Sequence, residues 1–189
     1  MRKGEVTRET KETTIEAELI LEGSGEVEVE TGIEFFDHLL ESFGKHGKFD
    51  LYVKSRGDFD HHIAEDTMIV MGKALEKALG DKRGIRRMGD AIVPMDDSLA
   101  LVAIDLGGRV YSDIDVDFQK EKLIDLNSDL FVHLLETLAS NSKSNLHVDL
   151  LRGSNDHHKA EAVFKALGIA LSEAVEKVGE DVPSTKGVV

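Results

Sequence analysis

Six of the eight histidines in this chain stand at matching places in two copies of one pattern, and that repeat limits the folds open to it more than any other feature. Phe36-Asp37-His38-Leu39-Leu40-Glu41 returns as Phe131-Val132-His133-Leu134-Leu135-Glu136. Asp60-His61-His62-Ile63-Ala64-Glu65 returns as Asp156-His157-His158-Lys159-Ala160-Glu161, with an offset that differs by a single residue. Gly72, Ala74, Leu75 and Ala78 keep step with Gly168, Ala170, Leu171 and Ala174. Two copies make an internal duplication and not a solenoid, so whatever one half folds into, the other must resemble.

Hydrophobic period gives the content of each half. Over residues 14–21, Ile15, Ala17, Leu19 and Leu21 alternate with polar neighbours as in a half-buried strand, and Gly23-Ser24-Gly25 suggests a turn into Val27 and Val29, an antiparallel hairpin. Helical spacing covers 33–43, followed by Gly44; Phe49, Leu51 and Val53 alternate again; 63–79 is a long helical pattern closed by Gly80. The second half repeats the order, with strands near 91–93, 99–106 and 110–117, a helix over about 126–139, a strand at 146–151 and a helix over about 157–178. The expected fold is α+β: one domain of residues 1–189 made of two repeats, about 1–88 and 89–189, with two sheets each backed by helices.

The repeat carries its chemistry at helix starts. Positions three and four apart share a helix face, so Glu65 approaches either histidine of its pair while adjacent His61 and His62 diverge. They suit two ions better than one, with His157, His158 and Glu161 as the complement and His38 and His133 on the preceding helices. Packing alone gives no reason to preserve His-His-x-x-Glu with an upstream histidine in both halves. The absence of cysteine removes thiolate sites, and imidazole with carboxylate suits Mn²⁺, Fe²⁺, Co²⁺ or Zn²⁺ over Mg²⁺ or Ca²⁺. His46 and His147 have no histidine counterpart and read as solvent or turn residues, with His46 kept as a candidate substrate contact; Met68, Met71 and Met88 read as core filler.

A net charge of −14 argues against a general nucleic-acid surface, and an anionic small substrate would need a local basic pocket. Charged residues at short intervals through the first thirty positions leave no signal-peptide pattern, and no apolar run reaches membrane-spanning length, so a cytoplasmic protein is expected.

Arg8-Glu9-Thr10-Lys11-Glu12-Thr13, Thr31-Gly32-Ile33-Glu34-Phe35-Phe36-Asp37-His38, the two His-His-x-x-Glu motifs and Pro183-Ser184-Thr185-Lys186-Gly187, in that order, resemble the imidazoleglycerol-phosphate dehydratases of histidine biosynthesis. The resemblance runs from about Val6 to the C-terminus. It implies two βββαβα-type halves (ribosomal protein S5 domain 2-like), a hydro-lyase activity giving imidazole-acetol phosphate and water, two Mn²⁺ per subunit held between subunits, and a homo-oligomer of 24 subunits built from trimers. Carried over by position, the metal ligands are His38, His61, His62, Glu65, His133, His157, His158 and Glu161, the same set that the repeat itself singles out. Glu12 is implied as the acid/base residue, and Arg87, Arg109, Lys165, Ser184 and Lys186 as the phosphate pocket. Two stretches depart from the family pattern, Pro94-Met95-Asp96-Asp97 and the short lead Asp58-Phe59-Asp60, both beside ligands. No fused phosphatase is expected. A metallohydrolase and a metal-assembled structural shell remain as alternative readings.

Overall fold

The computed structural model describes residues 1–187. In the first half β1 (Lys3–Glu9), β2 (Thr13–Ile20) and β3 (Val27–Glu30) precede α1 (Glu34–Gly47), β4 (Asp50–Gly57) and α2 (Asp60–Leu79). In the second, β5 (Met88–Met95), β6 (Ser98–Asp105) and β7 (Tyr111–Asp115) precede a small hairpin of β8 (Lys122–Leu123) and β9 (Leu126–Asn127), then α3 (Ser128–Ser142), β10 (Asn145–Arg152) and α4 (Asp156–Val175). The two sheets have the same strand order, β1-β2-β4-β3 and β5-β6-β10-β7, with only the last pair of each parallel. Two helix-backed sheets, the α+β class read from the sequence, are what the chain forms.

Alternation sets which face of each strand is covered. Ile15, Ala17 and Leu19 of β2 and Leu51 and Val53 of β4 are buried on one side, as are Ala100, Val102 and Ile104 of β6 and Leu146 and Val148 of β10. On these faces α2 lies across β1, β2 and β4, and α4 across β5 and β6. The remaining helices pair across the halves, α1 against α4 and α3 against α2, and the buried apolar side chains join in one core.

Glycine makes the two crossings close. A Cβ on Gly72 would stand 2.6 Å from Asn141 Cβ and 2.9 Å from the Leu138 carbonyl oxygen, and one on Gly168 would collide with the Phe43 carbonyl oxygen. Glycine inside a helix costs about 1 kcal/mol relative to alanine. At these equivalent positions the tight contact between backbones outweighs that cost.

Several expectations are corrected. β2 and β3 do not form a hairpin; β4 lies between them, antiparallel to β2 and parallel to β3. The cause is Asp50, whose Oδ1 accepts the N–H groups of Ser24 (2.7 Å), Gly25 (3.1 Å) and Glu26 (3.0 Å) and wraps the glycine turn around the start of β4. The other antiparallel partner of β2 is β1, a strand whose charged, exposed residues hid its period. α1 continues through Gly44 and ends at Lys48, which takes the left-handed conformation at φ 57°. α4 stops at Val175, short of 178, because the chain turns back to set Lys177 beside Ile85. Met68 and Met71 are buried, whereas Met88 is 59% exposed.

Two outcomes follow from these contacts. Gly168→Ala is expected to lower stability by about 2 kcal/mol through overpacking, in contrast to the helix gain an alanine ordinarily brings, while Gly179→Ala, with nothing within 4 Å, stays near neutral; urea unfolding checks both. The N–H groups of Ser24 and Glu26, then that of Gly25, hold the Asp50 carboxyl below the usual carboxylate range. A depressed folded-state pKa stabilises above the unfolded value near pH 4 and loses that contribution as pH falls. The stability gap between the wild type and Asp50→Asn should therefore narrow from about pH 6 to about pH 3.

Candidate metal centre

The crossed helix pairs bring the repeated histidines together in an order no single half could supply. From α1, His38 Nε2 reaches to 3.5 Å from Glu161 Oε2, and His157 Nε2 lies 3.2 Å from the same oxygen at the start of α4. One ligand atom from each of these three residues lies within 4.8 Å of the others. The rings of His38 and His157 stack 5.7 Å apart, and Phe35 packs 4.9 Å from His157. The mirror arrangement forms on the other pair: His133 Nε2 of α3 is 3.1 Å from Glu65 Oε1, and His61 Nε2 is 3.6 Å from Glu65 Oε2. Each triad takes a histidine from one half and a His–Glu pair from the other.

The carboxylates differ in setting. Burial raises the Glu161 carboxyl, but the Lys165 ammonium at 2.8 Å and His38 outweigh it and leave the pKa below the ordinary value, so Glu161 is an anion. Its side chain is 8% exposed, that of Glu65 34%.

His62 and His158 pair outside the triads, with rings nearly perpendicular to those of His61 and His157. Each is oriented by an aspartate: His62 Nδ1 is 2.9 Å from Asp58, and His158 Nδ1 is 2.7 Å from Asp97. A carboxylate at Nδ1 places the ring proton there and leaves Nε2 as the nitrogen that could donate to a metal; on His158 that nitrogen lies 3.5 Å from Asp96. The hydrogen bond to Asp58 raises the His62 pKa, and that to His158, with the N–H groups of Ser154 and Asn155, holds Asp97 well below the usual range. Sequence reading missed both aspartates as orienting residues. Asp58, four residues before His62, carried a local signal; Asp97 stands too far from His158 in the chain to have carried one.

The expected phosphate residues divide. Arg87, Arg109, Ser184 and Lys186 line a cavity of about 360 Å³ with Gly107 and Gly108. Arg87 is locked there by a two-point pair with Asp105 (2.6 and 2.9 Å) and a bond from its guanidinium to the Pro183 carbonyl oxygen (2.9 Å). Lys165 lies elsewhere in the chain, in a cleft of about 410 Å³ with His38, Glu161 and His46. Burial, then the Lys165 charge, lowers the His46 pKa. Glu12 is exposed at the β1–β2 turn, its carboxylate 3.9 Å from His62 Nδ1. His147 packs on Tyr111.

A family model described as imidazoleglycerol-phosphate dehydratase matches residues 31–171. The protein of that name from Methanococcoides burtonii is 51% identical over 191 residues, covering 100% of both chains. That from Methanothermobacter thermautotrophicus is 49% identical, over 99% of this chain and 97% of its own. The crystal structure of IGPD from Pyrococcus furiosus matches with a TM-score of 0.87 at 35% identity, covering 97% of this chain and 100% of that one. The dehydratase structure from Staphylococcus aureus matches with a TM-score of 0.85 at 31% identity, covering 93% and 99%.

The crossed geometry makes a coupling prediction. Losses of Co²⁺ affinity on His38→Ala and Glu161→Gln should be non-additive, as should those on His133→Ala and Glu65→Gln, whereas His38→Ala and Glu65→Gln should add; calorimetric titration of the four singles and three doubles reads this.

Proposed function

The chain belongs to the imidazoleglycerol-phosphate dehydratase family, hydro-lyases of histidine biosynthesis, and we propose that it converts D-erythro-imidazoleglycerol phosphate to imidazole-acetol phosphate and water with two Mn²⁺ ions per subunit. The observation that carries the metal requirement is the pair of crossed triads, two imidazoles and one carboxylate each, in a chain without cysteine. That donor set fits a borderline transition ion, and the convergence of His38, His157 and Glu161 leaves room for one. His38, His157 and Glu161 would hold one ion, and His133, His61 and Glu65 the other. His62 and His158 pair outside both triads and would complete ligand shells in neighbouring copies, in a homo-oligomer of 24 subunits built from trimers. When bound, the metal would supply Lewis-acid polarisation of the substrate imidazole, favouring loss of a ring proton.

The chain's own residues do the rest. The hydroxyl on the carbon next to the ring takes up the proton released by the ring nitrogen and leaves as water, and Glu12 takes the proton from the following carbon and passes it back to the ring nitrogen. The electron pair of that C–H bond becomes the double bond of an enol, which tautomerises to the ketone. Glu12 suits the role by its exposure and by its place beside His62, and its backbone N–H is fixed on Thr10 Oγ1 (3.1 Å). Arg87, Arg109, Ser184 and Lys186 hold the phosphate, fixing the carbon chain relative to the reacting centre. Lys165 and His46, at the His38 cleft, contact the substrate nearer the metal. No helix among the described residues is long and apolar enough to cross a membrane; the enzyme we propose is cytoplasmic and a single domain of two repeats.

Purified protein loaded with Mn²⁺ should form imidazole-acetol phosphate, and a chelated sample should not. Glu12→Gln is expected to lower kcat by about 100-fold or more while metal content and assembly stay unchanged. A fully loaded, assembled wild type that yields no product would overturn the reading.

A further inference from the structure

The halves differ most in the link between the third strand and the first helix. Residues 31–33 make it in the first half; in the second, residues 116–127 make an excursion that carries β8 and β9. The excursion lies over the starts of the two helices that feed the His38–His157–Glu161 triad. Asp125 accepts the N–H groups of Glu34 (2.6 Å) and Phe35 (3.1 Å), supplying the side-chain cap that Ile33 lacks, and the Phe35 ring rests against His157 and His38. The N–H groups of Gln119 (3.0 Å) and Lys120 (2.9 Å) bond to Asp156, the first residue of α4. Asp156 also pairs with Lys159 (3.0 Å), which donates to the Asp117 carbonyl oxygen (2.9 Å), and both side chains are only 4% exposed. Leu123 and Leu126 anchor the excursion in the core. The other triad is held differently: Ser128 at the start of α3 donates its N–H to the Glu121 carbonyl oxygen (3.0 Å) and Asp66 ties α2 to Arg8 (3.0 Å) and Thr13, but the counterpart of Lys159 is Ile63, and among the described residues no side chain caps the start of α3.

We propose that residues 117–125 form a positioning clamp for one of the two metal sites, presetting His38, His157 and Glu161 so that this site takes a divalent cation more tightly than the His61–Glu65–His133 site. The inference rests on the metal reading above. Side chains already held in place lose less freedom when they bind, and partners outside the ligand shell commonly change metal affinity by roughly 10–100-fold. Asp125 touches no ligand; it acts through α1 and Phe35 and is a positioning residue.

Metal-free, assembled protein titrated calorimetrically with Mn²⁺ tests this, with Glu161→Gln and Glu65→Gln assigning each binding step to a triad. The tighter step should be the one that Glu161→Gln removes. Asp125→Ala should weaken that step by about tenfold and leave the other unchanged, and Asp125→Asn, which keeps an accepting oxygen, should restore most of the loss. Lys159→Ile, which gives the second half the residue of the first, should weaken the same step. The clamp is overturned if the tighter step belongs to Glu65, or if Asp125→Ala and Lys159→Ile shift neither step or both alike. A wild type that takes up no cation overturns the metal reading and the clamp with it.

Discussion

Where α1 crosses α4 and α3 crosses α2, one backbone approaches the other at a residue with a hydrogen in place of a side chain. Gly72 and Gly168 set that distance, and the distance decides whether a histidine on one helix meets a glutamate on another. Were the halves packed as two independent sheet-and-helix units, His38 would stay with its own half and neither carboxylate would be bracketed by two imidazoles. The core, the close crossings and the ligand geometry are thus one arrangement seen at three scales.

The candidate ligands could be picked out in the sequence because the repeat wrote them twice, and the helices that carry them were legible from their 3.6-residue period. Which histidine meets which glutamate was not legible. That depends on helix pairing across the halves, and nothing local to His38 points to Glu161. The same limit explains Asp97, whose partner is distant in the chain, and the place of Lys165, which the family resemblance put with the phosphate residues and which within one chain lies in the triad cleft. The false hairpin at Gly23-Ser24-Gly25 has a different cause: a glycine turn is neutral about direction until some acceptor claims its N–H groups, and Asp50 does so from the next strand. β1 escaped notice because an exposed edge strand needs little apolar sequence.

The candidate phosphate cavity shows how a strongly acidic chain keeps a basic site. Arg87 is bound on two sides, by Asp105 and by the Pro183 carbonyl, so its guanidinium is fixed in direction and part of its charge is already balanced. Fixing one donor in this way reduces the freedom lost when an anion arrives. The segment that carries Ser184 and Lys186 is held to the same guanidinium through Pro183, so a hydrogen bond ties the two sides of the cavity together.

The exchange of helices also has a meaning in terms of symmetry. One half alone holds every kind of ligand and no triad; two such halves about a twofold axis would make two triads, identical by necessity. Joining them in a single chain keeps the axis in the fold and removes it from the sequence. The two centres are thereby released from each other, and residues such as Lys159 opposite Ile63, or an excursion present on one side only, can change one centre without imposing the same change on its twin.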